Sequence, residues 1–206
     1  SELAKEFKID ADVIVPIPDS GVPAALGFSQ TSGIPFELGL IRNHYVGRTF
    51  IEPTQNIRQF GVKLKHSVNV SYIKNKKVIL IDDSIVRGTT AKKIVKMVYD
   101  AGAKEVHLGV SCPPITHPDF YGIDTPNYNE LIASNKNIDE MSSIIGTKSL
   151  FFLSLDGTYR AMGCEERDSS SPQFTDHCFT GEYPTPLIDM EQGNVSKQYS
   201  LLTEKS

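Results

Sequence analysis

Apolar positions along the chain fall into short blocks separated by polar turns, and the spacing inside each block predicts its conformation. Val13 to Ile17, in DVIVPIP, is a continuous apolar run closed by prolines and predicts a buried strand. Ser20 follows as a helix N-cap, with Pro23 in the first turn, where its missing N–H costs little. Ala24, Ala25, Leu26 and Phe28 continue a short helix that Gly33 and Pro35 end. Phe36 to Ile41 predicts the next strand, completing a β-α-β unit with the loop Pro18-Asp19-Ser20-Gly21 at the carboxyl end of its first strand. From Asn43 to about Ser67 no period is visible, and Tyr45, Gly47, Phe50, Pro53 and Gly61 suit a long mobile loop. Lys77 to Ile81 predicts another strand. Ala91, Ile94, Val95 and Val98 recur at i, i+3, i+4 and i+7, one face of a helix, which Gly102 closes. Val106 to Val110 is the following strand, so a second β-α-β unit predicts a parallel sheet.

Glu130 to Ala133 and Ile138 to Ile145 read as helical, and Leu150 to Leu155 as a strand. After Cys164 the pattern fades, and the Ser- and Pro/Gly-rich stretch to Pro186 reads as an extended tail. The fold class is therefore α/β, a mostly parallel twisted sheet flanked by helices. The domain division expected is residues 1–163 for the sheet domain and 164–206 for a C-terminal extension.

Composition narrows the class. The chain has 206 residues, 39% of them hydrophobic, enough for one sizeable core. A formal net charge of −4 argues against a nucleic-acid binder. No apolar run is long enough to cross a membrane, and SELAKEFKID lacks the apolar core of a secretory signal. Cys112, Cys164 and Cys178 have no paired spacing, which suits reduced thiols in the cytoplasm. Arg42, Arg48, Arg58, Lys63, Lys65, Lys74, Lys76 and Lys77 face only Glu52 in their segment. They form either a solvated surface or a basic lid over an anion.

The most informative string is Val78 to Thr90, VILIDDSIVRGTT. An apolar strand runs into Asp82 and Asp83, a short turn follows, and then a helix. Ligands of open parallel sheets bind at the carboxyl ends of strands. The turn offers backbone N–H groups and the hydroxyls of Ser84, Thr89 and Thr90 at the positive end of a helix, and Gly88 permits close approach. Acids for hydroxyls or a metal, beside a cradle for phosphate, suggest a phosphorylated sugar. A Walker A loop and a GxGxxG fingerprint are both absent. Taken singly, an acid pair before a turn is more often a helix cap, Ser20 an N-cap, Tyr45 a packing residue and Arg48 a solvated one; the whole string is far more specific.

That string resembles the 5-phosphoribosyl 1-diphosphate (PRPP) motif of type I phosphoribosyltransferases. With IVPIPDSG and NHYVGRTF it is similar to the amidophosphoribosyltransferase family, from about Asp12 to Met162, and HCFTGEYPTP extends the likeness into the tail. The resemblance implies phosphoribosyl transfer from PRPP to ammonia, giving phosphoribosylamine and diphosphate, the first step of purine synthesis. It implies that Asp82 and Asp83 bind the ribose hydroxyls directly or through Mg2+, with Ser20 near the metal. Ser84, Ile85, Val86, Arg87, Gly88, Thr89 and Thr90 would hold the 5′-phosphate, and Asp19, Ser20 and Gly21 the diphosphate. Tyr45 to Lys65 would close over PRPP, with Tyr45 and Arg48 at the reacting end and Lys65 reaching the diphosphate. AMP and GMP are implied as inhibitors, and a homo-oligomer as the assembly.

Departures from the family sharpen these expectations. Members that use a nucleobase carry acid-acid-x-x-Asp-x-Gly-x-Thr, whose third acid faces the base. Val86 stands there instead, which suits ammonia. The family's N-terminal glutaminase is not in this sequence, so a fragment or a split protein that uses free ammonia is expected. Some members hold a four-iron cluster on four cysteines. Asp119 and Thr175 replace two of them and only Cys178 matches, so no iron–sulfur cluster is expected and Cys178 is read as a partly buried thiol. A PRPP-sensing regulator and a nucleobase phosphoribosyltransferase are the competing readings. The first lacks a recognisable DNA-binding module, and Val86 and the HCFTGEYP tail disfavour the second.

Overall fold

The structure, a computed structural model, describes residues 1–43, 66–123, 125 and 127–187. In chain order, α1 (Glu2–Glu6) precedes β1 (Val13–Pro16) and α2 (Val22–Ser32). A ribbon of β2 (Leu40–Arg42) and β3 (His66–Val68) leads to the short α3 (Val70–Ile73), then β4 (Lys77–Asp82), α4 (Thr89–Asp100) and β5 (Glu105–Val110). A 3-10 turn at Tyr128–Glu130 is followed by α5 (Ile132–Asn135), α6 (Ile138–Ile145), β6 (Ser149–Phe152), α7 (Leu155–Ala161) and α8 (His177–Thr180).

The main sheet has the order β1-β4-β5-β6, and every pairing in it is parallel. Successive side chains on a strand face opposite ways, and both faces are covered. Val13, Val15, Val78 and Leu80 pack with Ile94, Val95 and Val98 of α4 and with Met141 and Ile145 of α6. Ile14, Ile79, Ile81 and Phe151 pack on the other side with Leu3 and Ala4 of α1 and Ala25 and Phe28 of α2. Double burial explains why the strands read as unbroken apolar runs. Each such side chain contributes about 1.5–3 kcal/mol, so truncating the wholly buried Leu80 to Ala is a change of about 2–5 kcal/mol.

Helix boundaries follow local chemistry. The four apolar residues anticipated on α4 are all buried, and Gly102 follows the helix with φ 94°. At α6, Asn137 accepts the Glu140 N–H and Glu140 accepts the Asn137 N–H, a reciprocal cap, and Gly146 ends the helix with φ 89°. The strands anticipated at Val13, Lys77 and Val106 and the helix at Ile138–Ile145 are all present.

Four local expectations are corrected. Ser20 is not the cap of α2: the Gly21 N–H donates to the Ile17 carbonyl, and that tight turn makes Gly21 the N-cap, without a side-chain cap bond. Phe36 to Ile41 is not a strand of the sheet. Phe36 makes one isolated parallel bridge to Ile14, Leu38 is half exposed, and Leu40–Arg42 pairs antiparallel with His66–Val68 instead. Leu155 begins a helix rather than ending β6, because the Ser154 hydroxyl accepts the Gly157 N–H and caps it. The stretch after Cys164 is not simply extended. The Tyr159 and Arg167 side chains donate to Asp176 at 2.8 and 2.5 Å, α8 follows, and the Tyr183 hydroxyl donates to the Pro118 carbonyl at 2.9 Å. Among the described residues no helix is long and apolar enough to cross a membrane.

Candidate active site

β1 and β4 are neighbours, so the loops that follow them leave the sheet side by side. The Ile17 N–H donates to the Ile81 carbonyl at 2.8 Å, joining the two strand ends. Gly21 lies against this junction: a Cβ there would stand 2.3 Å from the Ile81 carbonyl oxygen and 2.7 Å from that of Ile17. Only glycine fits so close to backbone. The Pro18–Asp19 peptide in the first loop is cis.

Between the two loops lies a cavity of about 320 Å3. The first loop lines it with Ile17, Pro18 and Ser20, and β3 lines it with His66. From the second loop come Asp82, Asp83 and every residue from Ser84 to Thr90, backed by Ala91 and Ile94. Sequence reasoning thus named most of the lining. It missed Ile17 and Pro18, which look like strand and punctuation, and His66, a lone histidine after an aperiodic stretch. Asp19 and Gly21 flank Ser20 without lining the cavity, and Asp19 accepts from Arg42 of β2 at 2.5 Å. Tyr45, Arg48 and Lys65 lie outside the described residues.

Asp82 is the most perturbed group in the cavity. Its residue is 9% exposed. Burial, then the hydrogen bond and charge of Asp83, push its carboxyl up to about 8, against the Asp83 N–H that its Oδ1 accepts at 3.0 Å. The neighbouring Asp83 is exposed. Two adjacent carboxylates with so little compensation suit a ligand that brings hydroxyl donors or positive charge. Their hard oxygens also fit a magnesium ion. Cys112, just beyond β5, is pushed up to about 12 by burial and by Asp83 and Asp82, so its thiol stays protonated and inert.

The rest of the turn presents an anion cradle. Gly88 caps α4 at φ 73° with no side-chain cap bond, which leaves the first N–H groups of a twelve-residue helix at the cavity wall beside Thr89 and Thr90. The Val86 carbonyl accepts the Ile132 N–H at 3.0 Å, and Arg87 Nε donates to Glu130 at 2.6 Å, so the turn is braced from outside. The basic-lid reading fails for three lysines. Lys77 opens β4 five residues before Asp82, about 17 Å along the strand. Lys74 and Lys76 precede it, at the end of the sheet away from the cavity. Lys77 pairs there with Asp10 at 2.6 Å.

Comparison with known proteins agrees with this arrangement. The model of the phosphoribosyl transferase domain matches residues 1–132. The amidophosphoribosyltransferase of Rhizobium etli is 60% identical over 201 residues, 97% of this chain and 40% of that protein. That of Methanocaldococcus jannaschii is 54% identical over 185 residues, 90% of this chain and 38% of that protein. Among solved structures, the glutamine PRPP amidotransferase of Bacillus subtilis, complexed with ADP and GMP, aligns with a TM-score of 0.79 at 49% identity. The alignment covers 90% of this chain and 40% of that one. This chain therefore spans about two fifths of the length of these relatives. On the family match over residues 1–132 and these identities, the chain belongs to the phosphoribosyl transferase domain family, as a relative of the amidophosphoribosyltransferases.

Proposed function

We propose that the chain transfers the phosphoribosyl group of PRPP to ammonia, releasing diphosphate and a proton and forming phosphoribosylamine. The observation that carries this reading is the buried Asp82 beside Asp83, opposite Ser20 and next to the uncapped start of α4 in one cavity. In this reading the 5′-phosphate sits on the first turn of α4 and the Ser84 to Thr90 backbone, where helix N–H groups and the Thr89 and Thr90 hydroxyls donate to it. Asp82 and Asp83 accept from the ribose hydroxyls and fix the sugar, with C1 toward the Asp19-Ser20-Gly21 loop.

The bond from C1 to the diphosphate oxygen breaks as ammonia adds to C1, and charge that develops on the leaving group is met by backbone donors of that loop. Asp82, Asp83 and Ser20 are the residues that would hold a magnesium ion, which when bound neutralises the departing diphosphate. Tyr45, Arg48 and Lys65 are assigned in the same proposal to the reacting end and the diphosphate. Val86 offers no proton to a ring nitrogen, which favours ammonia over a nucleobase. In a longer protein or a complex, a glutaminase would supply that ammonia. A homo-oligomer is part of the proposal.

Diphosphate release from PRPP and magnesium, with and without ammonium chloride, tests the reading. Ammonia-dependent release that Asp83→Asn abolishes is expected, and release that depends instead on a purine base would overturn it. AMP and GMP share the ribose phosphate that the cradle fits, and the Bacillus subtilis relative's structure is described as a complex with ADP and GMP. They are expected to compete with PRPP here, and unchanged PRPP affinity at millimolar AMP and GMP would refute that part.

A further inference from the structure

Away from the cavity, three side chains of metal-binding chemistry converge where the tail meets the loop after β5. A carboxylate oxygen of Asp119, a ring nitrogen of His177 and the sulfur of Cys178 all lie within 4.8 Å of one another. The Asp119 and His177 side chains are only 4% and 6% exposed, and Cys178 is half-buried.

The ligand groups are held from behind. Asp119 Oδ1 accepts the N–H groups of Tyr121 and Ile123 at 2.8 and 3.0 Å, which fixes the carboxylate plane. The Cys178 carbonyl accepts the N–H groups of Thr116 and His117 at 2.9 and 3.0 Å. Asp119 Oδ2 meets His177 Nε2 at 2.7 Å. Nε2 and Oδ2 face each other across that contact with the Cys178 sulfur nearby, so a cation taking the place of the shared proton would meet all three donors.

We propose that Asp119, His177 and Cys178 bind one zinc-class divalent cation, with solvent completing the coordination, and that the ion clasps the tail to the loop after β5. A thiolate, an imidazole and a carboxylate suit Zn2+ or Co2+, whereas Mg2+ and Ca2+ take oxygen alone. Ligands around a tetrahedral zinc stand roughly 3.5 Å apart, given bond lengths near 2.0–2.3 Å, so the cluster needs only small side-chain shifts. One thiolate cannot hold a four-iron cluster, but a mononuclear site needs no more than these three protein ligands. The site is independent of the transfer reaction proposed above.

The test uses the intact chain, stripped with a chelator and titrated with Zn2+ and Co2+ in excess Mg2+. One Zn2+ retained per chain is expected, together with a near-ultraviolet thiolate-to-cobalt absorption band on adding Co2+. Cys178→Ser should abolish the band, Cys164→Ser should keep it, and Asp119→Asn should weaken Zn2+ affinity at least tenfold, with far-ultraviolet circular dichroism reporting the fold of each. No stoichiometric Zn2+ and no cobalt band in the unmodified chain would overturn the proposal, as would a band that persists in Cys178→Ser.

Discussion

Asp82 makes the stability of the ligand-free chain depend on pH in an unusual direction. An unfolded aspartate titrates near 3.9, whereas burial and the adjacent Asp83 push this carboxyl up to about 8 in the fold. Between those values the folded chain holds a proton that the unfolded chain has lost. Stability from this group is complete below the unfolded value and declines as pH rises toward 8. The limiting slope is about 1.36 kcal/mol per pH unit, so between pH 5 and pH 7 the chain should lose about 2.7 kcal/mol through Asp82. Asp82→Asn keeps the shape and removes the titration. Urea unfolding followed by circular dichroism at pH 5, 6 and 7 gives the difference between parent and variant. Groups that do not interact with Asp82 cancel in that difference, including His107, whose pKa burial holds below the ordinary value. A difference that stays flat within about 0.5 kcal/mol, well under the expected 2.7, would refute the claim that Asp82 is a buried, uncompensated acid. The same proton competes with a cation, so magnesium affinity should rise with pH up to about 8, measured by calorimetry.

Three further perturbations follow from packing. Gly21→Ala places a Cβ 2.3 Å from the Ile81 carbonyl oxygen, so the loop must move. A loss of about 1–3 kcal/mol is expected, with a KM for PRPP raised more than tenfold, and unchanged melting and kinetics would contradict it. Arg167→Ala strands Asp176, a carboxylate whose burial would raise its pKa but whose hydrogen bonds from Arg167 and Tyr159 hold it below the usual range. About 3 kcal/mol is at stake, and limited proteolysis should cut between Cys164 and Glu182 sooner than in the parent. Asn137→Ala removes half of the reciprocal cap on α6 and should cost about 1 kcal/mol in denaturant unfolding.

How far the fold could be read from the chain depended on where each element draws its stability. β4, α4, β5 and α6 are fixed by their own periodicity and termini, and these were legible. The acid pair was legible because it ends a strand and precedes a glycine-hinged helix within one local string. Phe36 to Ile41 misled because apolar content marks burial rather than sheet membership, and Leu38 is exposed despite it. Ser154 carried a cap signal that the apolar run before it masked. The Asp119–His177 contact joins residues 58 positions apart, and no local pattern encodes such a pair. Similarly, Asp19 meets Arg42 across a gap that only the folded ribbon closes.

That ribbon has a consequence for how the molecule can vary. Leu40–Arg42 and His66–Val68 pair in antiparallel register, with Arg42 opposite His66. The ends of this ribbon therefore stand side by side, and the Asn43 amide donates to the Ser67 hydroxyl at 3.1 Å beyond the last strand pair. Closing such a gap costs little more for a long insert than for a short one. The length of chain between residues 43 and 66 can therefore change at little entropic cost to the ribbon. The frame itself is not neutral, since His66 lines the cavity and Arg42 holds Asp19. Mutations in this two-stranded frame accordingly strike the fold and the cavity at once.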